Sequence, residues 1–346
     1  MDLIVISTPH QLLQIHELKK YFDIKNNKVV LLIITLESLD LFNTIDKTKY
    51  FQKFYMKAWS LKNPLTFLQY YPQFCRIINK IKRLDSINNL YSSQYYSDFS
   101  LLIFNKLIPI YWWYFDNSLL KEKNYLKSIQ IAKKVSIFFN KHYKQFNNYI
   151  KMGIKPIWLD QGTSSKKEFI NSQKFEYDII FFGSLNLVHT NRTNILKNID
   201  ENYNLTIFTP SAKQFKKLGF KNVLPAIPHD DINRIVSKAK ITLVLNATAK
   251  EDYCWSNRIH IMLGSGAFCL TDYIVGIENS YTDGEDCVFI KDLNSINKII
   301  NHWLNDKKIN ERNRIRLNGY NKAHEKHTYE NRIKTILNKI NANEYE

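Results

Sequence analysis

Most of the signatures that would place a chain quickly are missing from this one. It has no Walker loop, no HExxH, no GxSxG, no zinc-finger spacing and no RNA-recognition signature. That removes P-loop nucleotide hydrolysis, zinc-protease chemistry, α/β-hydrolase catalysis and the common modular nucleic-acid readers. Cysteine is scarce: Cys75, Cys254, Cys269 and Cys287 make no CxxC or other metal-ligand spacing. They read as small buried hydrophobes of a reducing compartment. No stretch reaches the roughly 18 apolar residues of a membrane span. The nearest, residues 101–115, is interrupted by Lys106 and Pro109. The first residues carry Asp2 and no basic stretch ahead of a short apolar run, unlike a secretory leader. The expected location is therefore cytoplasmic. There is no internal repeat and no low-complexity tract.

What is present points to a globular protein of two domains, since 346 residues exceed the roughly 100–200 of one domain. Hydrophobic residues at 45%, with 21 Tyr, 21 Phe and 6 Trp, exclude a disordered chain. The formal net charge is +17. It suits an anionic partner such as nucleic acid, an acidic glycan or a membrane surface. It equally suits a genome whose AT-rich codons favour Lys, Asn and Ile, because the positive charges are spread along the chain.

Short β-branched runs alternate with helical stretches. Leu3–Ser7 and Val29–Thr35 read as buried strands, with a helix over Gln11–Phe22 between them. Residues 36–95 are mixed, aromatic and helix-leaning. Ile108–Asp116 is a strand ending in an acid. Val135–Asn140 is another strand, followed by a helix to Met152 that Gly153 caps. Residues 164–176 are polar and read as a linker, after which the pattern restarts with YDIIFFGS and continues to AFCLTD. Continuously apolar strands alternating with helices predict parallel sheets covered on both faces. The expected fold is α/β: two Rossmann-like doubly wound domains facing a central cleft. The first covers residues 1–163 and the second 177–330. A C-terminal helix over 331–346 is expected to pack back on the first.

In such sheets ligands sit at the carboxyl ends of the strands, and three sets of residues stand there. Gly183 and Ser184 follow the strand YDIIFFGS, where a glycine lets backbone N–H groups approach a phosphate at a helix N-terminus. A full GxGxxG is absent, and a plain tight turn explains one glycine as well. His189 and Arg192 open the next helix, and Arg192 can meet a diphosphate through two parallel hydrogen bonds. The segment Glu251–Asp286 holds the second set. Tyr253 and Trp255 can line a base pocket, Ser256 or Asn257 can cap a helix, and Arg258 lies in its first turn. Gly264 and Gly266 end that helix, and Glu278 can bind ribose or sugar hydroxyls. The third set is His10 and Asp116, candidate catalytic groups just past strands of the first domain. A helix cap is the plainer reading of a strand-end Asp.

Residues from about 135 to 338 resemble the spore-maturation CgeB-like glycosyltransferases of GT-B fold. The resemblance runs in order through YIKMGIKPIWLDQG, YDIIFFGS, NRTNILKNI, IPHDDINRIVSKAKITLVLN, WSNRIHIMLGSGAFCLTD, GIENSYTDGEDCVFIKD and HEKHTYENRIKTIL. It implies a nucleotide-diphosphate-sugar donor, a UDP-sugar first among them, gripped by the second domain. Gly183, Ser184, Arg192, Asn257 and Arg258 become its phosphate ligands. Many GT-B enzymes carry a ribose-binding acid three residues after the second arginine, and here that position is Ile261. More distantly, the chain is similar to the β-glucosyltransferases that modify hydroxymethylated DNA in T-even phages. In those enzymes a strand-end Asp is the catalytic base, the place Asp116 takes here. DNA, a glycan or a protein is thus the expected acceptor. The chain has no DxD to hold a divalent metal, so the expected reaction is metal-independent and inverting, with Asp116 as base. The rivals are a non-catalytic nucleic-acid-binding protein and a sugar-phosphate epimerase on the same scaffold.

Overall fold

In the computed structural model, the described residues are 2–6, 28–35, 52–57, 89–92, 110–114, 135–165, 167–172, 174–185, 190–246 and 251–343, with a few more at 72–83 and 132–133. They form two compact units. The first comprises Met1–Asp160 with Ile333–Glu346, and the second Gln161–Arg332.

The first unit is built on a seven-stranded sheet. Its strands are β1 (Asp2–Ile6), β2 (Val29–Thr35), β3 (Gln52–Lys57), β4 (Asn89–Ser92), β5 (Ile110–Tyr114), β6 (Ile137–Asn140) and β7 (Pro156–Trp158). They lie in the order β3-β2-β1-β4-β5-β6-β7, and every pairing is parallel. Between β6 and β7 runs the helix α1 (Phe146–Lys151), which ends at Gly153 in the left-handed region. Phe138 and Phe139 on β6 are almost fully buried, though they point to opposite faces. A strand buried on both sides is what a parallel sheet requires.

The second unit repeats the plan with six parallel strands: β8 (Tyr177–Phe182), β9 (Leu205–Thr209), β10 (Asn222–Pro225), β11 (Ala239–Val244), β12 (Cys269–Asp272) and β13 (Val288–Ile290). Their order is β10-β9-β8-β11-β12-β13. The chain starts in the middle, builds outward through β9 and β10, then returns to lay β11 on the other side of β8. The β8/β11 boundary is therefore the topological switch point, where neighbouring connections leave in opposite directions and open a crevice at the strand ends.

The helices of this unit are α2 (Thr190–Asn202), α3 (Ala212–Lys217), α4 (Ile232–Val236), α5 (Arg258–Gly264), α6 (Ile296–Leu304) and α7 (Ile309–Lys326), while α8 (Tyr329–Asn343) starts in it and belongs from Ile333 on to the first unit. Leu196 and Ile199 of α2, Phe215 of α3 and Ile296, Ile300 and Trp303 of α6 cover Ile179, Phe181, Ile207, Ile241 and Leu243 of the sheet. The spacing of Ile296, Ile300 and Trp303 puts all three on one helical face. No helix among the described residues is long and apolar enough to cross a membrane.

The segment expected to be a linker, 164–176, belongs to the second unit instead. Lys167 is buried in it, while Ser165, Glu168, Asn171, Lys174 and Glu176 are exposed. Lys167 Nζ donates to His229 O at 2.5 Å and to Ser265 Oγ at 3.2 Å. Tyr320 donates to Lys167 O, and Arg316 donates to Ile170 O. The Phe169 ring lies against Gly266. Composition suggested a solvated tether because it does not report which partners a lysine meets.

Gly319 of α7 lets that helix close on its neighbours. A Cβ there would collide with the backbone oxygen of Asp286 and stand 2.9 Å from Leu263 Cδ2. Glycine to alanine in an open helix gains about 1 kcal/mol. Gly319→Ala is expected to lose about 1–3 kcal/mol instead, as overpacking does, and urea unfolding reads the sign directly. Lys167 supplies a pH test. Burial pushes its ammonium from the ordinary 10.5 down to about 8, against the attraction of Asp230 and Asp231. Between those values the unfolded chain binds more protons than the folded one, so stability rises with pH across that window. Measured against Lys167→Met, the wild-type unfolding free energy should climb from pH 8 to 10. Parallel pH profiles would contradict it.

Candidate functional site

At the carboxyl end of β8 the chain narrows to Gly183, whose amide donates to Phe208 O at the end of β9. A side chain has no room here, since a Cβ would lie 2.8 Å from the Phe181 ring and 3.3 Å from Arg258 Nη2. The turn continues through Ser184 to Leu185, whose amide is tied to Ser211 Oγ. Arg192, third residue of α2, is almost fully buried. It reaches back to donate through Nη2 to Ser184 O at 2.7 Å. Its guanidinium lies 5.4 Å from the centre of the Phe181 ring.

Arg258, first residue of α5, comes from the other side of the switch point. Its Nη1 donates to Leu245 O, just past β11, at 3.0 Å. Its guanidinium lies 5.2 Å from the centre of the same Phe181 ring. Two cations from different helices thus converge on one aromatic ring at the crevice. Each cation–π contact contributes roughly 0.5–2 kcal/mol, more where water is excluded. Desolvation pushes Arg258 down to about 9, the like charge of Arg192 adding to the effect and Asp272 opposing it. Arg192 falls to about 10 by burial, again opposed by Asp272. Both keep their protons at neutral pH, so the crevice holds concentrated positive charge in a partly dehydrated place.

A lattice of short bonds holds this arrangement. Asp272, last residue of β12, accepts at Oδ1 from the Asn246 amide at 2.9 Å and from Asn246 Nδ2 at 2.8 Å. Asn246 Oδ1 accepts from the Ser256 amide at 2.6 Å, and Ser256 Oγ accepts from the Arg258 amide at 3.3 Å. The ends of β11 and β12 and the start of α5 are therefore one hydrogen-bonded unit. Ser256, not Asn257, provides the side-chain cap. Asn257 instead donates to the Tyr329 hydroxyl at 2.9 Å.

The remaining residues singled out from the sequence fall in different places. Trp255 was expected to line a base pocket. It is 3% exposed and its indole N–H points to His260 Nε2 at 3.4 Å. It belongs to a buried cluster in which His260 bonds the Tyr281 hydroxyl at 2.7 Å and stacks on His327 at 5.1 Å. His327 Nε2 faces Ser280 O and its Nδ1 faces Arg332 Nη2. A carbonyl accepts and a guanidinium donates, so His327 is held as the neutral Nε2–H tautomer. Trp255 only donates, which leaves His260 Nε2 as the acceptor. The cluster anchors the segment that carries Arg258.

Tyr253 sits half-buried with φ +59, a left-handed conformation that costs energy for a residue with a side chain. Its ring covers Gly276, at φ +99, so closely that no Cβ fits. Glu278 accepts from the Gly276 amide at 2.9 Å. It also lines a small pocket past the ends of β12 and β13 with Tyr273, Thr282, Asp283 and Lys291. His10, Asp116 and His189 lie outside the described residues. Sequence reading missed Phe181, Asn246 and Asp272. Asp272 carried a signal that went unused, since it is the acid that ends the strand AFCLTD. Phe181 carried none, because an apolar residue inside an apolar strand looks like core.

With this geometry in view, the comparisons with known proteins become specific. No curated protein matches the sequence. The chain superposes on sucrose-phosphate synthase from Thermosynechococcus elongatus with a TM-score of 0.71 at 11% identity, covering 99% of this chain and 100% of that one. It superposes on Anabaena HepE in complex with UDP-glucose with a TM-score of 0.68 at 13% identity, covering 98% and 99%. A putative UDP-N-acetylglucosamine 2-epimerase from Listeria monocytogenes gives 0.59 at 10% identity, covering 93% of each chain. At such identities these likenesses establish the GT-B fold. Residues 192–338, which begin at Arg192 and include Arg258, match the glycosyl transferase-like family model.

Proposed function

We propose that the protein is a glycosyltransferase that moves a hexosyl or pentosyl group from a nucleotide-diphosphate sugar, a UDP-sugar first among them, to an acceptor hydroxyl. The observation that carries this reading is the convergence of Arg192 and Arg258 on Phe181 at the β8/β11 crevice. A diphosphate leaving group develops negative charge as the glycosidic bond breaks. Preorganised cations in a partly dry site stabilise that charge without reorganising at the moment of reaction. The family match over the same segment supports a transferase. HepE, which shares the fold, holds UDP-glucose.

In this mechanism Arg192, Arg258 and the amides after Gly183 neutralise the leaving diphosphate in place of a metal ion. Glu278 and Tyr253 stand nearest in sequence to take the nucleoside and sugar hydroxyls, and Trp255 supports from within. Asp116, two residues beyond the end of β5, deprotonates the acceptor hydroxyl as it attacks. A discrete base of this kind favours inversion at the anomeric carbon. A hydroxymethylated base in DNA is the acceptor that the charge of +17 and the phage resemblance favour. A sugar-phosphate epimerase on this fold would need no acceptor and would return a product of unchanged mass.

UDP at 100 times its dissociation constant should stabilise the protein by about 2.7 kcal/mol. Arg258→Ala should weaken UDP binding strongly in calorimetry. Arg258→Lys should rescue it poorly, because an ammonium neither stacks on Phe181 nor forms a fork. Equal affinity in wild type and Arg258→Ala would remove the residue from the site, and no melting shift with any nucleoside diphosphate would remove the reading.

Asp116→Asn keeps the shape of the side chain but cannot take a proton. Transfer of labelled sugar should fall by roughly 10²–10⁴-fold with UDP affinity nearly unchanged. A loss of UDP affinity would make Asp116 a structural cap. Transfer within a few-fold of wild type would pass the role to His10.

A further inference from the structure

The first unit carries a second concentration of positive charge that the transfer reaction does not use. A pocket of about 610 Å³ opens beside the edge strand β3. Lys53, Arg76, Lys80 and Arg83 line it over an apolar floor of Phe54 and Ile77. No acidic side chain stands among the described residues that line it. The backbone is helical at 75–77 and 79–81 and makes a further turn at Arg83, whose amide donates to the Asn79 and Lys80 carbonyls. Positions 76, 80 and 83 then share one face, and like charges at such spacings repel. Arg76, Lys80 and Arg83 are exposed, whereas Phe54 and Ile77 are half-buried.

Its place in the sheet separates it from the chemistry. Lys53 is the second residue of β3 and pairs with Leu31 near the start of β2. The carboxyl end of β3 is roughly 13 Å further along the strand. Ligands that react on such a sheet sit at that far end, so neither the acceptor hydroxyl nor its base belongs in this pocket. Evenly spread charge does not explain it either. Four cations round one concavity, with low-dielectric walls, focus a field that scattered lysines do not.

We propose that this pocket is an anion site for a phosphate group, distinct from the diphosphate site of the second unit. Three of its cations come from one helix face and the fourth from the neighbouring strand, so a tetrahedral dianion can be met from two sides by charge-assisted hydrogen bonds. The phosphate is carried either by a soluble phosphorylated ligand or by a lipid headgroup, and the two sources share this chemistry.

The test titrates the full chain with inorganic pyrophosphate in calorimetry at low salt. Lys80→Ala/Arg83→Ala should lose one binding event or weaken it by about tenfold or more, with an unchanged melting temperature because both residues are exposed. The comparison variant is Lys213→Ala/Lys216→Ala/Lys217→Ala, which removes more charge from exposed positions of the second unit and should leave that event intact. Wild-type affinity and stoichiometry in the pocket variant would overturn the proposal, as would an equal loss in the comparison variant. Any event at Arg192 and Arg258 survives in the pocket variant, so failure of the transferase reading and failure of this one give different results. Cosedimentation with phosphatidylglycerol vesicles, lost in the pocket variant, identifies a headgroup as the source. Pyrophosphate binding without cosedimentation identifies a soluble ligand.

Discussion

Two guanidinium groups sharing one phenyl ring is an expensive arrangement, and much of the second unit serves to maintain it. Left to themselves, Arg192 and Arg258 would separate into solvent, because their mutual repulsion grows as water is excluded. Phe181 gives each a polarisable face. The carbonyls of Ser184 and Leu245 give each a fixed acceptor. Asp272 supplies a nearby negative charge that offsets part of the desolvation. What remains is a partly dehydrated excess of positive charge.

The surrounding elements follow from the need to hold that excess in register. The switch point lays β8 beside β11, so that two helices begin on opposite sides of one ring. The Asp272–Asn246–Ser256 chain then joins the ends of β11 and β12 to the start of α5. Behind it, His260, Tyr281 and His327 fill the interior with polar rings whose hydrogen bonds are matched donor to acceptor. A buried network stabilises only when its members are satisfied, and this one fixes two neutral tautomers. Glycines appear where the backbone must pass close to a ring: Gly183 over Phe181 and Gly276 under Tyr253.

Positive charge is used differently in the two units. In the second it is buried and stacked at the carboxyl ends of the strands. In the first it lines an open pocket near the strand starts. Arg192 and Arg258 are held by carbonyls and a shared ring, while Arg76, Lys80 and Arg83 are exposed. The net charge of +17 is therefore a sum of unlike contributions.

The most apolar strands were legible from residue type alone, whereas β3, β4, β10 and β13 were not. A run such as Val29–Thr35 is too apolar to be solvated and too β-branched to favour a helix, and it forms β2 over the same residues. The alternation of such runs with helices sufficed for two parallel sheets. Arg192 and Arg258 were legible as candidates because a charge placed just past a buried strand sits where ligands bind. The segment 164–176 was misread because composition reports how polar a residue is, but burial depends on partners distant in the chain. Lys167 meets Ser265, and Trp255 meets His260 within a cluster closed by His327. The sequence by itself determined the elements and the chemistry available at their ends. Only the tertiary structure decided that two arginines 66 positions apart face one ring, because strand order, set by long-range pairing rather than by local propensity, chooses which ends become neighbours.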